Sequence, residues 1–174
     1  NPTLRTETSR GWELGLRTKS NDGKLRAQLS YFDLRLRNLI TFDSNAFRIV
    51  NQSQLISRGV ELEIDWQPDD CFEVRGGGTW NHTRIKKTQF DPENRPRWRG
   101  FLEITARPIP PLELTIRAIA SSSSKATSFK TRPRVDTLNG YGRLDLQATW
   151  KVNDRLDVFV EIQNVTDTTP REAV

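Results

Sequence analysis

The side chains that could do chemistry in this 174-residue chain are mostly cations, and they fall in three clusters. Arg84, Lys86 and Lys87 form the first, Arg95, Arg97 and Arg99 the second, and Lys125, Lys130, Arg132 and Arg134 the third. Clusters of this kind attract an anionic ligand, hold the phosphates of a lipid surface, or simply solvate a loop. Tyr141, beside Arg143, is a further candidate for contact with a ligand. Catalytic chemistry has no such footing. His82 and Cys71 are the only residues of their kinds, and neither belongs to a Ser-His, Cys-His or paired-carboxylate grouping. No metal-ligand cluster or phosphate loop is evident, so no metal or cofactor is expected. "GGG" at 76–78 lies inside a strand pattern, where a bend or close approach explains it better than phosphate binding.

Composition narrows the partners. The net charge is +5, but the basic residues are spread through the chain without a helix or aromatic motif to organise them, so nucleic acid is not expected. Hydrophobic residues make up 34% and charged residues 28%. A soluble protein with those totals has a thin core, whereas a membrane β-barrel reaches them naturally because only alternate strand residues need be apolar. No apolar run approaches the ~20 residues of a spanning helix. The chain has no Met, so residue 1 is not an initiator, and a processed chain or part of a longer one is expected.

The elements that must carry the cations are read from period-2 alternation. In "LISRGVELEIDW", Val60, Leu62, Ile64 and Trp66 alternate with Glu61, Glu63 and Asp65. The same alternation sets Trp12, Leu14 and Leu16 against Glu13 and Arg17, and Leu25, Ala27, Leu29 and Tyr31 against Arg26, Gln28 and Ser30. It recurs after Phe72, from Trp98, from Leu112, from Leu144 and from Leu156, which makes eight strands, most of roughly nine to thirteen residues. That is the length a tilted strand needs to cross a bilayer. Short connections ("SNDG", 20–23; "PDD", 68–70; "PIPP", 108–111; "ND", 153–154) alternate with long ones, read as loops over 37–54, 86–95 and 122–139. Trp66, Phe72 and Trp150 adjoin short turns, and Trp12, Trp80 and Trp98 adjoin long loops, as two membrane-interface girdles would. Eight steps from Phe72 to Trp80 rise ~20 Å at ~40° tilt, close to the ~25 Å apolar band between such girdles. The expected fold is all-β, an antiparallel transmembrane barrel segment of about eight long strands. The charged face then lines a lumen, where Glu73 and Arg107 are a plausible cross-strand pair. His82 shares the even-numbered face of Trp80 and points away from that lumen, so an axial haem role is not expected.

Four segments also resemble one family. "NPTLRTETSRGWELGLR" (1–17), "YFDLRLRNLI" (31–40), "NQSQLISRGVELEIDW" (51–66) and "LDVFVEIQNVTDTTPREAV" (156–174) are similar, in order and spacing, to the late barrel strands of TonB-dependent outer-membrane receptors. Two departures stand out: Thr6 replaces the usual Pro before Glu7, and "TTPREAV" replaces the aromatic that usually follows Asp167. The resemblance implies that residues 1–174 are the C-terminal part of one barrel domain, normally of twenty-two strands, with the plug domain and the final strand lying outside the chain. It implies residence in the outer membrane, contact with outer-membrane lipid and with an N-terminal plug, and energy from TonB. It also implies uptake of a scarce nutrient, with a ferric siderophore favoured, and transport in place of enzymatic activity. The rim residues Arg84, Lys86, Lys87, Arg95, Lys125, Lys130, Arg132, Arg134 and Tyr141 become candidate ligand contacts. Two other readings stay open from sequence: a porin-like or adhesin barrel without energised transport, and a soluble β-sandwich binding module.

Overall fold

The structure is a computed structural model that describes residues 4–43, 47–51, 54–86, 94–128 and 134–169. Its strands are β1 (Thr8–Lys19), β2 (Leu25–Arg37), β3 (Ile40–Asp43), β4 (Arg48–Asn51), β5 (Gln54–Asp69) and β6 (Phe72–Lys86), then β7 (Trp98–Ile109), β8 (Leu112–Ser121), β9 (Ser124–Ser128), β10 (Arg134–Leu138), β11 (Tyr141–Asn153) and β12 (Leu156–Ile162). Eight of them form one sheet in the order β1-β2-β5-β6-β7-β8-β11-β12, while β3-β4 and β9-β10 are separate hairpins. Every pairing in the large sheet is antiparallel, so the chain runs up and down through it.

The register proves the two faces, because residues directly opposite each other share a side of the sheet. Asp65 lies opposite Arg26 and Arg75, Arg75 opposite Glu103, Glu103 opposite Arg117, and Arg117 opposite Asp145. On the other side Ile104 lies opposite Ile116, which lies opposite Leu146, which lies opposite Ile162. The apolar side has nothing packed over it: Leu14 is 71% exposed, Leu16 69% and Val160 63%. The buried hydrophobic residues among those described are only Leu55, Ile56 and Ala126. A β-sandwich would cover such a face with a second sheet, and this one is a single layer. Each large aliphatic side chain left in water forgoes ~1.5–3 kcal/mol, so this face requires an apolar solvent.

Aromatic residues bound the apolar band at both ends. Near the short turns Trp66 meets Phe72 edge-on, with ring centroids 6.1 Å apart. Near the long connections Trp80 lies opposite Trp98, and Trp12 packs on Tyr31 at 5.3 Å. Beyond Tyr31 and Val60 the strands continue and their polarity inverts. Phe32, Leu34, Leu36 and Leu55 lie on the side that carries the charges lower down, while Asp33, Arg35, Arg37 and Arg58 face outward. Phe32 fits there because its register partner is Gly59, where a Cβ would sit 2.5 Å from the Phe32 ring and 2.4 Å from the Trp80 carbonyl oxygen. Phe101 lies over Gly77 in the same way, with 2.8 Å to a Cβ built there, which is the close approach expected of "GGG".

Two of the three connections read as loops contain hairpins. Ile40–Asp43 pairs with Arg48–Asn51, and Ser124–Ser128 with Arg134–Leu138. The strands are only four or five residues long, and the "SSSS" end of β9 offers no apolar alternation, so the periodicity argument is blind to them. A knot of hydrogen bonds holds the first hairpin. The Asn51 carboxamide accepts from the Arg5 amide (2.7 Å) and donates to the carbonyls of Arg5 (2.9 Å) and Asn38 (2.7 Å). Asn38, in the left-handed region at φ 55°, donates its side-chain amide to the Thr6 carbonyl (3.2 Å), and Glu7 accepts from the Ile40 amide (3.1 Å). Another such turn follows β12: the Asn164 side chain accepts from the Thr168 amide (3.1 Å) and donates to the Thr168 carbonyl (3.0 Å). Thr166 and Thr168 then donate to the Gly142 carbonyl, so this segment continues along β11 where β12 ends.

Candidate functional site

The charged face is organised from the turn end upward. Arg107 bridges Glu113 (2.8 Å) and Glu73 (3.6 Å), as the sequence suggested for Glu73 and Arg107. Arg75 bridges Glu73 (2.6 Å) and Glu103 (3.9 Å), and Arg117 approaches Glu103 at 3.7 Å. Arg143 holds Asp145 at 2.7 Å, and Asp145 also accepts the Asn164 amide at 2.8 Å. The wall is therefore largely self-neutralised across β6, β7, β8 and β11. Glu61 and Glu63 are outside this network, and no cation among the described residues pairs with either.

Toward the long connections carboxylates become fewer on this face: Glu61, opposite Thr79, and Glu13, opposite Phe32, remain there alongside Arg99. Thr79, Arg99, Ser121 and Tyr141 form one row across β6, β7, β8 and β11. Above it a depression of ≈ 250 Å³ is lined by Thr79, Asn81, Asn94, Arg95, Pro96 and Arg99. A second hollow of ≈ 380 Å³ lies below, between Glu61, Glu63, Phe101 and Arg117. The 94–97 segment is fixed over the row: Asn81 donates its amide to the Arg97 carbonyl (2.6 Å), and Asn94 donates to the Lys125 carbonyl (2.7 Å). Neither Arg95 nor Arg99 has an ion-pair partner among the described residues. Two exposed guanidiniums with neutral hydroxyl and carboxamide neighbours have the chemistry to engage an anion at this mouth.

Of the residues singled out from sequence, Arg95 lines this depression, and Tyr141 lies in the row of Arg99, two strands away with Ser121 between them. Lys125 lies in β9 and donates to the Thr137 hydroxyl at 3.0 Å, and Arg134 opens β10 opposite Ser128. Arg84 and Lys86 fall on the other side of the sheet, the side of Trp80 and His82. Lys87, Lys130 and Arg132 lie outside the described residues. Arg99 belongs to the second cationic cluster but not to the candidate ligand contacts, and Asn81 and Thr79 were not candidates, although their odd numbers place all three on the charged face of β6 and β7.

The chain matches the family model described as "TonB dependent receptor-like, beta-barrel" over residues 1–165. It belongs to that family. A curated relative, the ferric-pyoverdine BN7/BN8 receptor of Pseudomonas putida, is 26% identical over 159 residues, which is 90% of this chain and 19% of the relative. Among solved structures, the outer-membrane ferripyoverdine receptor of Pseudomonas aeruginosa, bound to ferripyoverdine, aligns with a TM-score of 0.80 at 19% identity. The match covers 95% of this chain and 24% of that one. The closed form of the ferric-catecholate import receptor Fiu of E. coli K12 gives a TM-score of 0.81 at 16% identity, over 97% of this chain and 24% of that one. The chain thus spans about a fifth of the curated relative, and its eight-stranded sheet is one part of a receptor barrel wall. As a TonB-dependent receptor barrel it belongs in the outer membrane, with its apolar face (even-numbered residues except in β2, where they are odd) toward lipid and its short turns on the periplasmic side. The motifs behind the resemblance also acquire a physical role, since Glu7, Asn38 and Asn51 come from three of them and meet in the knot beneath β3-β4.

Proposed function

We propose that these strands form part of the wall of a receptor that takes up a ferric siderophore, driven through TonB. The reading rests on Arg95 and Arg99, which have no ion-pair partner among the described residues and stand at the mouth of a wall similar to those of ferric-pyoverdine and ferric-catecholate receptors. Siderophore chelates present oxyanions, which guanidinium forks engage with charge and geometry together. Lower in the wall every arginine from β6 to β8 already has a carboxylate, so an incoming anion is attracted to the mouth. Tyr141, Asn81 and Thr79 supply neutral hydrogen bonds there, and Lys125, Lys130, Arg132 and Arg134 extend the basic character along the connection from β8 to β11. Glu61 and Glu63, unpaired in the lumen, are suited to meet a plug domain inside a barrel completed to twenty-two strands. Transport is the role that membership of the TonB-dependent receptor family supports.

The test is binding and uptake by the receptor containing these strands, with ferric pyoverdine as probe. Arg95→Ala with Arg99→Ala is expected to weaken binding about tenfold or more, since a charge-assisted hydrogen bond contributes ~1.5–3 kcal/mol. Disrupting TonB is expected to stop uptake of labelled iron while leaving binding intact. Unchanged binding in the double variant, or uptake that persists without TonB, would contradict the proposal.

A further inference from the structure

We propose that the outward face of β1, β2, β5 and β6, just beyond the aromatic girdle, binds the phosphates of outer-leaflet lipopolysaccharide. The register carries the proposal. Across these four strands, successive outward-facing rows read Leu14, Tyr31, Val60, Trp80; then Trp12, Asp33, Arg58, His82; then Arg10, Arg35, Ile56, Arg84; then Thr8, Arg37, Gln54, Lys86. Rows are two residues apart, so the three rows that carry arginines lie roughly 7–20 Å along the strands from the Tyr31–Trp80 row. Acyl chains would lie along Leu14 and Leu16, and the phosphorylated sugars would then meet the guanidiniums.

The charge is lopsided and local. Five arginines and Lys86 face outward here, against one carboxylate, Asp33. Asp33 is itself buried and engaged by Arg35 (3.0 Å) and Arg58 (2.7 Å), which fixes those two side chains. Arg10, Arg37 and Arg84 are exposed and have no carboxylate partner among the described residues. Pairing of β7, β8 and β11 reaches no further than the Trp80–Trp98 row, so among the described strands the outward rows beyond the girdle are built by β1, β2, β5 and β6. An anion inside the lumen is on the wrong side of the sheet to reach the patch. The anion available to a lipid-facing surface at this height is a lipid phosphate, and bidentate arginine contacts suit it.

The experiment uses the receptor containing these strands, in phosphatidylcholine vesicles that hold either bisphosphorylated lipid A or the same lipid with both phosphates removed. Lipid retained per receptor is measured by native mass spectrometry after detergent extraction. Wild type is expected to retain the phosphorylated form about tenfold better, and Arg37→Ala with Arg84→Ala to lose that preference. Arg95→Ala with Arg99→Ala, which removes equal charge from the lumen side, is expected to keep it. Equal retention of the two lipids by wild type, full retention by the Arg37/Arg84 variant, or an equal loss in the lumen variant would overturn the proposal.

Discussion

At Leu146 and Gln147, adjacent residues of β11 meet different solvents. Leu146 lies opposite Ile116 and Ile162 on the lipid side, and Gln147 lies opposite Thr115 and Glu161 on the lumen side. Leu146→Arg is therefore expected to cost about 2–4 kcal/mol in denaturant unfolding from vesicles, and Gln147→Arg close to nothing. Gly59 is constrained by space, since a Cβ there meets both the Phe32 ring and the Trp80 carbonyl. Gly59→Val is expected to destabilise by about 1–3 kcal/mol in the same assay, the usual cost of overpacking, and Phe32→Ala should restore part of the loss. Asp33, beyond the girdle, is held below its ordinary value of 3.8 first by the Arg35 hydrogen bond and then by Arg58, against a desolvation that pushes the other way. A carboxylate depressed on folding contributes stability that is complete above its unfolded value and disappears as pH falls through the folded one. The stability difference between wild type and Asp33→Asn should then be constant above pH ~4 and shrink below it. A difference that grows on acidification would show that the pairing has been misread.

At the level of elements, the long strands were legible in the sequence because each has one apolar and one charged face over many residues, as in Val60 to Trp66. The turns were legible because tight hairpins demand Gly, Asn, Asp or Pro, and "SNDG" and "ND" supply them. The hairpins β3-β4 and β9-β10 were not, since strands of four or five residues pair through backbone bonds that leave little side-chain pattern. The candidate site was legible only in part. Clustering in sequence grouped Arg84 and Lys86 with the rim, yet side-chain direction alternates along β6, and only the odd-numbered residues face the mouth. Arg99 and Tyr141 share a row across three strands with Ser121 between them, which no local pattern reports. The knot at Asn51 makes a prediction about an element as a whole. Asn51→Ala removes one acceptor and two donors, and is expected to cost about 1–3 kcal/mol if those backbone partners go unsatisfied. Hydrogen exchange should rise across 38–51 while β5 below Val60 keeps its protection, and uniform loosening of the whole sheet would count against a local role.

For the molecule as a whole, the same sheet addresses three environments. The apolar band between the girdles meets lipid, the lumen face and its mouth are proposed to meet water and ligand, and the cationic rows outside are proposed to meet phosphate-bearing headgroups. A single layer whose described residues bury only Leu55, Ile56 and Ala126 among the hydrophobics is consistent with this, because the surrounding bilayer supplies the apolar contact that a soluble fold makes internally. The central claim is therefore the assignment of solvents to the two faces. A cysteine scan of Val60 to Trp66 tests it most directly, in the receptor containing these strands, with the exposed Cys71 replaced by Ser and an environment-sensitive label at each position in turn. The labels at 60, 62 and 64 should be quenched by lipid-borne quenchers, and those at 61, 63 and 65 by water-soluble ones, alternating without a break. Uniform quenching from water along the segment, or alternation in the opposite phase, would contradict the account.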